Sequence, residues 1–163
     1  MSEVKRVLIA EDSFEWQRFH KSLLDNYDKC QIEAVFASSA RDALELVEFY
    51  PEQNYDLVLS DLQMESDFLP EFAGEWFVKN LKRISKYKNT PIVLVSAAYN
   101  ISFIAANLGV KYLSKRTLVN NPDSYYFMLD ENLSCWVIRF IKLVLCIFFV
   151  CCIILLQLKT GDE

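Results

Sequence analysis

The chain has 163 residues and a net charge of −5. That is length for one domain with a real core, and the wrong sign for a reader of nucleic-acid backbones, which needs clustered Lys and Arg. Three Gly and four Pro argue against long linkers, and five Cys without a C-x-x-C pair exclude zinc-finger and thioredoxin-like chemistry.

The N-terminal MSEVKRVLIAED has too short an apolar core for a signal peptide. Its "RVLIA" (6–10) reads as a first strand, followed at once by Glu11 and Asp12. From Ser13 to Tyr27, Trp16, Phe19, Leu23 and Tyr27 recur at helical spacing. His20, the single histidine, lies near the buried side of that helix and reads as structural. "IEAVFA" (32–37) is a second strand. Ser39-x-x-Asp42 opens a second helix to Tyr50, with Ala43, Leu46, Val47 and Tyr50 inward.

"DLVLS" (56–60) is a third strand that delivers Asp61 at its end. A helix from Gly74 to Tyr87 carries Phe77, Leu81 and Ile84 on one face. "PIVLVS" (91–96) is a fourth strand ending in Ser96. A short helix over 101–108 stops at Gly109, and "KYLSK" (111–115) is a fifth strand ending in Lys115. Asn121-Pro122-Asp123 starts a last helix, with Pro122 in its first turn and Tyr126, Leu129, Leu133, Trp136 and Phe140 facing the sheet.

Strands alternating with helices through short connections predict a mostly parallel sheet covered on both faces. Function in such sheets gathers beyond the carboxyl ends of the strands. Glu11, Asp12, Asp61, Ser96 and Lys115 all stand there. Three carboxylates on one edge repel unless a cation lies among them, and an all-oxygen donor set suits Mg²⁺. Asp12 and Asp61 are the candidate ligands. Asp61 is also a candidate carboxylate nucleophile toward phosphorus, with Lys115 and the Ser96 hydroxyl to receive phosphoryl oxygens.

With those residues in place, 4–136 resembles the receiver domain of two-component response regulators. The stretches that carry the resemblance are "VLIAEDS", "DLVLSDLQM", "VLVSAA" and "YLSK". The resemblance implies a flavodoxin-like fold with a five-stranded sheet in the order 2-1-3-4-5. It implies a phosphoacceptor switch rather than an enzyme, phosphorylated on Asp61 by a histidine kinase or a histidine phosphotransfer protein, with Mg²⁺ required. It assigns the metal to Asp12, Asp61 and the backbone carbonyl of Gln63, with Glu11 acting mostly through water. It makes Ser96 and Tyr112 the switch pair. Output is expected from a downstream protein target on the face of the fourth helix, fifth strand and last helix, with self-association as a homodimer beside it.

The sequence departs from the family pattern in two places. Arg116 follows Lys115 where the family has Pro, and residues 65–73 form an insertion beyond Met64. Those departures leave open the alternative of a phosphorylation-independent interaction module. An aspartyl-nucleophile phosphatase fits worse, because Gln63 stands where its second acid is needed.

The last feature is apolar. "LVLCIFFVCCIILL" (143–156) lacks any polar side chain, and a helix apolar all round is buried in protein or lipid. Extended over 137–159, with Arg139 and Lys142 at the interface, it reaches the roughly 30 Å of a hydrocarbon core. The expected organisation is therefore a receiver domain over 1–136, a transmembrane anchor over 137–159 and a polar end over 160–163, with the receiver domain on the cytoplasmic face of the membrane. A hydrophobic oligomerisation helix is the other reading of the same segment.

Overall fold

The computed structural model describes residues 4–50, 52–64 and 71–133, within one compact unit that runs Met1–Leu133. The expected anchor over 137–159, the polar end and most of the 65–73 insertion lie outside the described residues. Among the described residues no helix is long and apolar enough to cross a membrane.

Five parallel strands form one sheet: β1 (Val4–Ala10), β2 (Gln31–Ala37), β3 (Leu57–Ser60), β4 (Ile92–Ser96) and β5 (Lys111–Ser114). Their order is β2-β1-β3-β4-β5, as expected. Every residue of β3 and β4 is buried, as are Val7–Ala10 of β1. Leu57, Val58 and Leu59 have 0 % exposure. A strand that meets protein on both faces has no polar side to alternate with, which is why these segments read as unbroken apolar runs.

The helices are α1 (Phe14–Asp25), α2 (Ala40–Phe49), α3 (Ala73–Leu81), α4 (Ile101–Leu108), α5 (Lys115–Asn120) and α6 (Asp123–Asn132). Ser13 and Ser39 cap α1 and α2 by accepting from the N–H groups of Trp16 and Asp42. Gly109 closes α4 in the left-handed region at φ 61°, a conformation that costs glycine little.

Five expectations are corrected. The helix expected over 74–87 stops at Leu81, and a separate 3-10 turn covers Ser85–Tyr87. Tyr50 is not inward: it follows α2 and is 49 % exposed. Strand β5 ends at Ser114, and Lys115 opens a helix that the sequence pattern does not separate from the strand. Pro122 stands at the N-cap of α6, one place before the first turn. Finally, α6 buries Tyr125, Met128 and Leu129, whereas Tyr126 is only partly covered. Two adjacent tyrosines cannot share one helix face; Tyr125 wins because its hydroxyl finds a buried partner in α1.

Candidate functional site

Two backbone bonds carry the sheet one step past its strands. Glu11 N–H donates to Ala37 at 3.0 Å and Asp61 N–H donates to Ala10 at 2.8 Å. The ladder thereby fixes the backbones of both acids before their side chains leave the sheet edge. Asp61 is held further by its neighbours. Its Oδ1 accepts from the Leu62 N–H at 2.6 Å and the Gln63 N–H at 3.2 Å, and its carbonyl accepts from the Ser60 hydroxyl at 2.8 Å.

The start of α3 presses against the same turn. Gly74 N–H donates to the Leu62 carbonyl at 3.1 Å. A Cβ on Gly74 would stand 2.0 Å from the Asp61 carbonyl oxygen. This glycine is required by close approach, not by a left-handed backbone.

Lys115, first residue of α5, reaches into the cluster. Its Nζ lies 2.6 Å from Asp61 Oδ2 and 2.7 Å from Glu11 Oε2. Glu11, Asp61 and Lys115 are exposed by only 1 %, 6 % and 6 %. A charge that deep is tolerated when it is paired. The contact with Glu11 is an ion pair, and among the described residues the buried Oε2 has no further hydrogen-bond partner. Burial above all, with Asp61 adding repulsion, pushes the Glu11 carboxyl up to about 7 against the pull of Lys115.

Asp12 completes the group from the exposed side. Carboxylate oxygens of Glu11, Asp12 and Asp61 lie within 4.8 Å of one another. Three hard oxygens so close, two of them on buried residues, fit a small divalent cation such as Mg²⁺.

Of the other expected residues, Ser96 is buried at the end of β4, where its Oγ accepts from the Ala98 N–H at 3.5 Å. Tyr112 is not drawn to the cluster: it lies on edge strand β5 opposite Leu94 and is 49 % exposed. His20 is structural, as expected. It is 1 % exposed, its Nδ1 lies 2.9 Å from the Tyr125 hydroxyl, and burial drives its pKa down to about 3.

Two aromatic partners escape a reading of the sequence. The Trp16 ring lies under the Lys115 ammonium, with Nζ 4.7 Å from the ring centroid. Arg116 stacks on exposed Tyr99 at 4.0 Å. Trp16 does lie one helical turn beyond Asp12, but nothing in its spacing distinguishes a ring facing an ammonium from a ring facing the core.

The model of the response regulator receiver domain matches residues 7–118. The chain is 30 % identical over 120 residues to hybrid signal transduction histidine kinase D of Dictyostelium discoideum, a match covering 72 % of this chain and 7 % of that protein. The chain therefore spans a small part of the curated relative's length. Among solved structures, the chemotaxis response regulator CheY4 of Vibrio cholerae superposes with a TM-score of 0.64 at 23 % identity, covering 80 % of this chain and all (100 %) of that one. A response regulator from Chloroflexus aurantiacus gives 0.66 at 18 % identity, over 81 % and 99 % of the two chains. The Mn²⁺-bound response regulator Rcp1 gives 0.58 at 21 %, over 68 % and 81 %.

Proposed function

We propose that this chain, which belongs to the response regulator receiver domain family, is a phosphoacceptor switch whose acceptor is Asp61. The observation that carries the reading is the buried Asp61 carboxylate, anchored by two backbone N–H groups and paired with Lys115 at 2.6 Å. A carboxylate aimed from a fully buried strand keeps one orientation, which is what a nucleophile needs.

A histidine kinase or a histidine phosphotransfer protein is the donor in this reading. A carboxylate oxygen of Asp61 attacks phosphorus, the phosphorus–nitrogen bond to the donor imidazole breaks, and the neutral imidazole leaves. The product is an acyl phosphate, which water later hydrolyses. Lys115 follows the charge outward from the carboxylate to the phosphoryl oxygens. The Leu62 and Gln63 N–H groups hold the carboxylate while it reacts. Asp12, Asp61 and the Gln63 carbonyl, with Glu11 behind them, would hold Mg²⁺. That ion supplies countercharge for the transferred group. The Mn²⁺-bound form of the structural relative Rcp1 is in keeping with such a site.

Ser96 is the first switch residue in this reading and Tyr112 the second, starting from an exposed position. A downstream protein reads the changed face of α4, β5 and the last helix. No observation favours the alternative of a phosphorylation-independent module. The anchor over 137–159, and with it a place at the inner face of a membrane, is a further part of the proposal; its support is the unbroken apolar run at 143–156. Recovery of the full chain in the detergent-free soluble fraction would remove that part.

The switch itself is tested by incubating the full chain with Mg²⁺ and a small phosphodonor. An acid-stable, base-labile adduct is expected, and Asp61→Asn should abolish it. A wild-type chain that takes no phosphoryl group contradicts the proposal.

A further inference from the structure

Among the described residues the Lys115 ammonium meets two carboxylates and one aromatic face. Asp61 Oδ2 at 2.6 Å and Glu11 Oε2 at 2.7 Å lie on the polar side, and the Trp16 face lies 4.7 Å away. Trp16 is itself fixed. It meets Phe19 edge to face at 5.3 Å and the His20 ring at 6.4 Å. His20 in turn is bonded to Tyr125 of α6 at 2.9 Å. The indole therefore lies between the Lys115 ammonium and the His20–Tyr125 pair that joins α1 to α6.

The two carboxylates are not steady partners for this ammonium. Phosphorylation turns Asp61 into an acyl phosphate and removes its carboxylate charge, and a divalent ion competes for the same oxygens. In either event the attraction on Nζ is redistributed: a divalent ion weakens it at the carboxylate oxygens, and transfer shifts it outward to the phosphoryl oxygens. The quadrupole of the indole face does not change, and its attraction for a desolvated ammonium persists.

We infer that Trp16 is a positioning residue for phosphoryl transfer: its indole face holds the Lys115 ammonium beside Asp61 while charge moves from carboxylate to phosphoryl group. This rests on the proposed role of Asp61. Trp16 touches neither donor nor acceptor, and acts only through Lys115. Removing the ring takes away a face that stays in place while the charge moves, so the ammonium is less well held beside the incoming phosphoryl group. A cation–π contact of this kind corresponds to roughly two- to thirtyfold in rate.

The test compares the full chain as wild type, Trp16→Leu, Trp16→Phe, Lys115→Gln and the Trp16→Leu/Lys115→Gln double variant. Each receives a small phosphodonor and Mg²⁺, and the rate of acyl phosphate formation is followed. Trp16→Leu should be slower by roughly two- to thirtyfold, and Trp16→Phe should fall between it and wild type because a smaller ring keeps a π face. Adding Trp16→Leu to Lys115→Gln should change nothing. A purely structural Trp16 would slow both backgrounds alike, and that result overturns the inference, as does Trp16→Leu at the wild-type rate. Circular dichroism of Trp16→Leu checks that the fold persists; if it does not, Trp16→Phe against wild type carries the comparison. If wild type is not phosphorylated at all, it is the role of Asp61 that has failed. If wild type is phosphorylated and Trp16 is silent, only the inference has.

Discussion

At the scale of single residues, the site is a problem in charge, and Glu11 expresses it most clearly. An ordinary carboxyl pKa of 4.5 is raised to about 7 in the folded chain. Below pH 4.5 the group is protonated in both folded and unfolded states, and its own contribution to stability is fully present. As pH rises, the unfolded chain ionises first, so stability is lost through pH 4.5–7. In the absence of divalent ions, denaturant titrations should show that decline, and Glu11→Gln should flatten it. Mg²⁺ should restore stability more at pH 8 than at pH 5, since only the ionised cluster attracts it. An equal Mg²⁺ effect at both pH values would count against the carboxylates as its site. His20 has the opposite sign. Its pKa falls from 6.5 to about 3, so its contribution is present above pH 6.5 and lost as pH falls toward 3. A His20→Gln variant should lose that acid-side slope while keeping the one due to Glu11.

At the scale of elements, the site depends on how closely the start of α3 approaches the β3 turn. Gly74→Ala would place a methyl group 2.0 Å from the Asp61 carbonyl oxygen, and backbone cannot rotate away as a side chain can. Overpacking of this kind costs about 1–3 kcal/mol or more; thermal unfolding should report it, and the phosphorylation rate should fall with it because Asp61 is what moves. An alanine at this position with unchanged stability and rate would show that α3 yields instead. The α1–α6 contact makes a second prediction. Tyr125→Phe removes the partner of buried His20 Nδ1 and should cost about 1–3 kcal/mol in a denaturant titration, without touching the sheet edge.

The legibility of these elements in the sequence follows the same physics. Strands β1, β3 and β4 are readable because burial on both faces leaves no polar residue to interrupt them. The acids and Lys115 are readable because strand ends place them at one edge. Helix α5 is not. Lys115 is both the last word of an apparent strand and the first residue of a helix of six residues, too short to show a period. The register of α6 is hidden because Tyr125 and Tyr126 carry equal hydrophobic signal, and only a partner 105 residues away separates them. Trp16 reads as core for a similar reason: a ring facing an ammonium and a ring facing leucines have one sequence signature.

At the scale of the whole molecule, the described residues make a single receiver unit in which a rigid apolar sheet aims polar groups at one edge. Asp61, Glu11 and Lys115 directly follow β3, β1 and β5, so no local segment could form the site alone. Loss of the fold is loss of the site. In the proposed switch this edge takes a phosphoryl group on Asp61. The most direct measurement of that transfer is site mapping, by peptide mass spectrometry, of the full chain after exposure to a phosphorylated histidine phosphotransfer protein, with Mg²⁺ and with a chelator. One modified residue is expected, Asp61, labelled with Mg²⁺ and not with chelator, and no label in Asp61→Asn. Label on another residue, or equal labelling of Asp61→Asn, would contradict it.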